Sequence, residues 1–208
     1  MFRWSDANPP RGMFNDEYSP LALAGWTILI RENIVGQEQS TITMRNQLEP
    51  AKTSDAAAIA SLQVATSDKL TEHFGPGPWS RNVTERGMLL NVRNASVYVL
   101  RRRNKVIATL TLCTKKPWAI DRKYFSKSDR PLYLTSMAVA PDRQRQGIGK
   151  LCIDAAVKIV KQWPGDAIRL DAYDAEAGAG EFYGKCGFRE VGRASYRNTP
   201  LIYFEMLI

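Results

Sequence analysis

Residues that could do chemistry concentrate in one short run: Gln144, Arg145, Gln146, Gly147, Ile148, Gly149 and Lys150, with Arg143 just ahead. An apolar stretch precedes the run and an amphipathic one follows it. That order reads as strand, loop, helix start. A helix N-terminus leaves its first backbone N–H groups without partners and carries positive partial charge, so an anion placed there answers both. Gly147 and Gly149 lack Cβ, which would let a bulky phosphate approach the main chain. Arg143, Arg145 and Lys150 add charge around the same point. The chemistry expected here is the holding of a phosphate group.

Two familiar phosphate loops do not fit. A P-loop needs Gly at position 144 and Ser or Thr after Gly149–Lys150; the chain has Gln144 and Leu151. The dinucleotide fingerprint needs a third glycine at position 152, which is Cys152.

The elements that must position this loop follow from periodicity. Residues 132–140 are apolar almost throughout, as a strand covered on both faces would be. After the loop, Ile148, Leu151, Cys152, Ala155, Ile159 and Val160 recur at helical spacing, and Trp163, Pro164 and Gly165 end the helix. Upstream, residues 41–48 alternate as a strand closed by Pro50. A helix is expected from Asp55 to Leu70, then a Pro/Gly loop over 73–80 and a second helix over 81–93. Residues 96–102 and 105–114 read as a hairpin turning at Arg103 and Asn104, followed by a loop over 115–130. Downstream come a strand over 168–172, a short helix over 176–184, and strands over 188–197 and 201–207. The order β-α-α-β-β-β-α-β-α-β-β predicts an α/β domain with a mixed sheet.

Composition narrows the class. The chain has 208 residues, 44% hydrophobic and 24% charged, as in soluble globular proteins. Residues 41–208 form the expected domain, and residues 1–40, broken by Pro9, Pro10, Gly12 and Pro20, an extension of unassigned role. Self-association through Trp26 and the apolar run 21–30, giving a homodimer, stays open. That run is too short to span a bilayer, and acidic residues precede it, so neither a membrane segment nor export is expected. The net charge of +8 is spread along the chain and peaks at Arg101, Arg102, Arg103 and Lys105. Charge alone does not point to nucleic acid, and a solvated face is the default account of that turn. The three cysteines are widely spaced and His73 is the only histidine, so no metal site is expected. An odd cysteine count without a pairing pattern fits a reducing cytoplasm.

With these residues in view, the stretch 134–151 resembles motif A of the GNAT superfamily of acetyl-CoA-dependent N-acetyltransferases. Phe182, Tyr183, Gly184, Lys185, Cys186, Gly187 and Phe188 resemble the same family's F-Y-x-K-x-G-F segment. The similarity runs from about Thr41 to the C-terminus. It implies a GNAT-type fold, a mixed central sheet whose central strands splay apart, with acetyl-CoA as co-substrate in the gap. The backbone of Met137, Ala138 and Val139 would pair with the pantetheine arm as an added strand. The N–H groups of Gln144, Arg145, Gln146, Gly147, Ile148, Gly149 and Lys150 would hold the pyrophosphate. Tyr183 matches the family's general acid, which protonates the departing thiolate. A backbone N–H near Met137 or Ala138 would stabilise the charge gained by the thioester oxygen.

Two features depart from the family pattern. Thr135 and Ser136 stand on the central strand where many members carry a glutamate base, leaving Asp171, Tyr173, Asp174, His73 or a water chain as alternatives. Glu176 stands where many members place a pantetheine-binding asparagine. The expected activity is transfer of an acetyl group to a primary amine of a small molecule, protein or peptide. A non-catalytic acyl-CoA-binding module and a transferase acting on charged tRNA are the rivals.

Overall fold

The computed structural model describes residues 47–80 and 82–208. The elements are β1 (Leu48–Pro50), α1 (Ala56–Phe74), α2 (Glu85–Asn94), β2 (Ser96–Arg102), β3 (Lys105–Cys113) and β4 (Pro131–Val139). They continue with α3 (Ile148–Gln162), β5 (Ala167–Tyr173), α4 (Gly180–Lys185), β6 (Arg189–Tyr196) and β7 (Thr199–Leu207). Seven strands make one sheet in the order β1-β2-β3-β4-β5-β7-β6. Every pairing is antiparallel except β4 with β5. This is the expected order of elements and the expected mixed sheet.

Both hairpins turn on an Arg-Asn pair. Arg103 and Asn104 have φ 48° and 63°, and Arg197 and Asn198 have φ 49° and 63°. Two consecutive left-handed residues make the two-residue turn whose twist matches the flanking strands. Arg101 folds back from the first turn onto Asp55, 2.6 Å away, and onto Glu49. Part of the basic run is therefore tied to β1 and the start of α1.

The sheet has a core on each face. On one face α3 and α4 bury Ile148, Cys152, Ile153, Ala156, Val160 and Tyr183 against Leu110, Leu134, Leu170 and Phe204. On the other face α1 lays Ile59 and Leu62 on Val97, Val99 and Val106. Farther along that second face, the loop after β3 covers Tyr133, Leu201 and Tyr203 with Ile120. The loop is anchored by a buried network. Arg169 and Glu205, register partners on β5 and β7, pair at 3.0 Å, and Arg169 Nη2 donates to the Ser126 carbonyl at 2.5 Å. The Ser126 N–H donates back to Glu205 at 3.3 Å, which closes the ring of partners that a buried charge requires.

Several boundaries differ from expectation. Of the strand expected over 41–48, residues 41–46 lie outside the described residues, as does Arg81; the observed strand is Leu48–Pro50, with Pro50 inside it, not closing it, at a sheet edge that tolerates proline. Helix α1 runs past Leu70 to Phe74, because the first breaker is Gly75, which closes it at φ 77°. His73 is thus in the last helical turn and not in the loop. Helix α2 starts at Glu85, where the Thr84 side chain caps it by accepting from the Gly87 N–H at 3.1 Å. The short helix begins at Gly180 and not at Glu176. Residues 174–179 turn sharply instead, so tightly that a Cβ on Gly178 would lie 1.8 Å from the Tyr173 carbonyl.

Strands β4 and β5 pair only at their starts: Pro131 with Ala167, Leu132 with Ile168, Tyr133 with Arg169. Beyond that they separate, as expected of splayed central strands. Asp166 fastens the paired end. Its carboxylate accepts from Ser128 Oγ at 2.5 Å and from the N–H groups of Asp129 and Arg130 at 2.8 and 3.0 Å. At the opposite end a bulge begins the separation: β4 carries an extra residue opposite Leu110, and Ser136 has φ 51°.

Candidate active site

The gap between β4 and β5 is bordered by backbone. Residues 134–139 of β4 keep β3 on one side and have no β5 partner on the other. Strand β5 is likewise paired with β7 along its length and open towards β4 beyond Arg169. The main-chain groups of the β4 edge that do not face β3 border a slot, the arrangement an extended ligand can join as a strand.

The chain leaves β4 through Pro141, and the loop ends on α3. Gln144 Nε2 donates to the Val139 carbonyl at 3.1 Å, and Gln146 Nε2 to the Asp142 carbonyl at 2.9 Å. These side chains shape the loop, while its N–H groups point elsewhere. Among the described residues, no backbone N–H from Gln144 to Lys150 donates to another protein group. The first loop bond closing on the helix is from Leu151 N–H to the Gly147 carbonyl, 3.0 Å. Arg145 and Gly147 both take left-handed conformations, φ 58° and 77°, which turns successive N–H groups towards one side. Lys150 pairs with Asp154 at 2.8 Å and Arg143 with Asp142 at 3.3 Å, so Arg145 is the loop cation that forms no ion pair among the described residues. The donor run, the Gly147 turn and Arg145 suit an anion such as a pyrophosphate.

The two glycines differ in role. Nothing lies within 4 Å of a Cβ on Gly147, so main chain there is open to a ligand. A Cβ on Gly149 would lie 2.9 Å from the ring of Phe182 and 3.7 Å from Met137 Cε. What comes close to Gly149 is an aromatic side chain, which docks α4 onto the start of α3. Gly147 has the open space that phosphate approach would need, whereas at Gly149 close packing accounts for the missing side chain.

Phe182 leads to Tyr183, whose ring is buried among Phe182, Phe188 and Phe204 at 5.1, 5.7 and 5.9 Å. Its hydroxyl makes no hydrogen bond among the described residues, yet is not sealed from solvent. Burial pushes the phenol well above its ordinary pKa, and the nearby charge of Asp171 adds to this. A phenol so placed stays protonated at neutral pH and can act as a proton donor.

The base candidates are scattered. His73 packs edge-on against Phe74 at the end of α1, and Asp174 is held by Arg193 through two contacts of 2.8 and 2.9 Å. Tyr173 meets the Trp79 ring at 5.7 Å. Asp171 alone of these carboxylates lies on β5 beside the gap. Three features escaped the sequence reading: the Asp166 clamp, the Phe182–Gly149 contact and Trp79 against Tyr173. The Pro164–Gly165 break was the one visible sign of the first; the other two join positions far apart in the chain.

Among the described residues, no helix is long and apolar enough to cross a membrane. No cluster of three or more His, Cys, Asp or Glu is found among them that could hold a metal ion.

No curated protein matches the chain. Solved structures do. The ribosomal-protein-S18-alanine N-acetyltransferase of Escherichia coli superposes with a TM-score of 0.56 at 17% identity, over 78% of this chain and 93% of that one. A GNAT-family acetyltransferase from Listeria monocytogenes gives 0.62 at 17% identity, over 77% and 94%. A structure from Salmonella typhimurium, described as an acetyltransferase with its cofactor acetyl-CoA, gives 0.58 at 14% identity, over 77% and 92%. At these identities the likeness is one of fold. Residues 62–188, which hold the splayed strands, the donor loop and Tyr183, match the acetyltransferase (GNAT) family, and the chain belongs to that family.

Proposed function

We propose that the chain transfers an acetyl group from acetyl-CoA to a primary amine of a small molecule, a protein or a peptide. The observation that carries this reading is the edge of β4 that leaves β5 and runs directly into a loop of seven N–H groups without acceptors among the described residues. Bound acetyl-CoA would supply a thioester as acyl donor. Met137, Ala138 and Val139 would pair with its pantetheine arm, and the N–H groups of Gln144, Arg145, Gln146, Gly147, Ile148, Gly149 and Lys150 would hold its pyrophosphate. The N–H of Met137 or Ala138 would face the thioester oxygen and stabilise the charge it gains. Tyr183 would give its proton to the departing sulfur. Holding the two reactants together supplies much of the rate. We assign residues 41–208 to this domain and residues 1–40 to an extension. The three unpaired cysteines support a cytoplasmic site of action.

Thermal stability in the presence of acetyl-CoA tests the binding half. Millimolar acetyl-CoA raises the melting temperature of the wild type and not of Gly147→Glu, whose carboxylate would occupy the anion site. No shift in the wild type would sink the reading. Tyr183→Phe tests the chemical half: it keeps the shift and lowers thiol release by about 100-fold. Unchanged turnover would remove Tyr183 from its role.

A further inference from the structure

The loop between β3 and β4 carries features that the cofactor reading does not use. It holds six cations, Lys115, Lys116, Arg122, Lys123, Lys127 and Arg130, against two carboxylates, Asp121 and Asp129. Half of the chain's net charge of +8 thus lies in this one loop. Trp118 stands among these residues at 71% exposure, the highest of the large exposed hydrophobics among the described residues.

That exposure is built in, because the backbone around Trp118 is pinned. Ile120 is buried with Tyr133, Leu201 and Tyr203 on the face of the sheet opposite α3. The Tyr203 hydroxyl donates to the Ala119 carbonyl at 2.5 Å. Lys116 Nζ donates to the Ile120 and Pro117 carbonyls at 2.7 and 3.0 Å, and the Ile120 N–H also donates to the Pro117 carbonyl at 3.2 Å. The carbonyls before and after Trp118 are therefore both held, while its ring stays outside the core. The other aromatics of the loop, Tyr124 and Phe125, pack on the Tyr203 ring at 5.3 and 5.6 Å. A large indole left in water on a fixed support does little for the fold, and marks a surface that gains by being covered.

The cations divide in the same way. Lys116 is committed to carbonyls, and Lys123 pairs with Asp121 at 3.0 Å and lies 5.1 Å over the Tyr124 ring. The side chains of Lys115, Arg122, Lys127 and Arg130 are exposed and form no hydrogen bond or ion pair among the described residues. Lys115 stands three residues before Trp118 and Arg122 four after it, and Lys127 and Arg130 extend the charge along the loop. A partner matching this surface is anionic and brings an apolar contact for the indole. Single-stranded nucleic acid would need successive rings for successive bases, and two of the loop's three aromatics are spent on Tyr203. A protein interface asks for one aromatic anchor at its centre and polar groups at its rim, which is the arrangement present.

We propose that this loop docks an acidic polypeptide segment, with Trp118 buried at the centre of the contact and Lys115, Arg122, Lys127 and Arg130 facing carboxylates of the partner. The pinned backbone keeps the ordering cost of binding low. This docking is independent of acyl transfer.

The test uses the full chain and a fluorescein-labelled peptide of Glu-Glu-Leu repeats, followed by fluorescence anisotropy. Wild type binds the peptide at low salt, and binding weakens by about fivefold or more at about 0.5 M salt, since the pairing charges are exposed. Trp118→Ala keeps the melting temperature of the wild type and weakens binding by about tenfold. Lys115→Glu combined with Arg122→Glu abolishes it. Lys161→Glu, at the end of α3 on the other face, leaves affinity within about twofold of wild type. A loss with Lys161→Glu as large as that with the loop variants, and none with Trp118→Ala, would reduce the effect to net charge and overturn the proposal. Tighter binding of a uridine oligonucleotide or of phosphatidylserine vesicles, lost in Trp118→Ala, would overturn the polypeptide as partner. No binding of the peptide by wild type at low salt overturns the docking surface outright; the acetyl-CoA melting shift, read on the same sample, reports on the transferase separately.

Discussion

Gly149 offers a quantitative test of how the donor loop is built. In Gly149→Ala the new methyl would sit 2.9 Å from Cε2 and Cζ of Phe182. Those atoms are the far end of a half-buried side chain, so the ring can swing away, at the low end of the overpacking range, about 1 kcal/mol. For a chain of this size that lowers the melting temperature by about 3 °C. Phe182→Ala alone removes part of a ring that also packs on Tyr183, at about 2 kcal/mol. If the ring is what excludes a side chain at 149, the double variant costs about 2 kcal/mol and not the additive 3, a coupling of about 1 kcal/mol. Gly147→Ala is the control. Its cost of about 1–2 kcal/mol comes from the left-handed backbone at φ 77° and shows no coupling to Phe182→Ala. Chemical denaturation of the four Gly149/Phe182 variants measures the cycle. Strict additivity would refute the packing account of Gly149.

Three further outcomes are expected. The Asp166 carboxyl is held below its ordinary pKa, chiefly by the Ser128 hydroxyl and also by the N–H groups of Arg130 and Asp129. Its contribution is therefore complete above the unfolded-state value near 4 and is lost as pH falls through the lower folded value; denaturation curves at decreasing pH should show this slope in wild type and not in Asp166→Asn. Arg169→Met leaves the buried Glu205 carboxylate with the Ser126 N–H at 3.3 Å and, as its one remaining cation among the described residues, the exposed Arg189 at 3.4 Å, and should cost about 3 kcal/mol in chemical denaturation. Replacing Arg103 by Asn, which takes the left-handed conformation more readily, should raise the melting temperature slightly, a gain of about 0.5 kcal/mol, and a loss would count against the assigned turn.

What the sequence revealed and what it hid divide along the range of the interaction. The donor loop was legible because its parts are neighbours in the chain: an apolar strand, Gly147 and a periodic helix follow within a few residues. The first hairpin was legible for the same reason, with its turn at Arg103 and Asn104, whereas Arg197, expected to end a strand, instead turns together with Asn198. Helix ends were less so. Leu70 and Gly75 are both credible stops for α1, and only the glycine breaks the backbone. The bulge at Ser136 leaves no local signature, since serine has no preference for φ 51°. It is imposed by β3 on one side and the departing β5 on the other. Trp79 is an ordinary loop aromatic until the fold sets its ring against Tyr173. The same holds for Arg169 and Glu205, whose partnership is set by the β5–β7 register.

The position of the site follows from the connections. Strands β4 and β5 are parallel, so their C-terminal ends point the same way, and each is followed by a helix on the same face. Helix α3 leaves β4 through the donor loop, and α4 leaves β5 through the turns at 174–179. Both helix starts therefore arrive at one end of the sheet. In open α/β sheets that end, between strands whose connections diverge, is where ligands bind. Asp166 pins the opposite end, so the separation can only grow towards the helix starts. Phe182 against Gly149 then ties the two helix starts to each other across the mouth. Opening the strands and aligning the donors are thus one structural event: loosening the Asp166 clamp would let β4 and β5 shift at their paired end and, through Phe182, would move Tyr183 relative to the loop. Asp166→Asn should therefore lower kcat more than it lowers acetyl-CoA affinity, since the loop is local to α3 whereas the distance from the loop to Tyr183 depends on both strands. Equal losses in the two quantities, measured by thiol release and by titration of acetyl-CoA, would show that the clamp acts on stability alone.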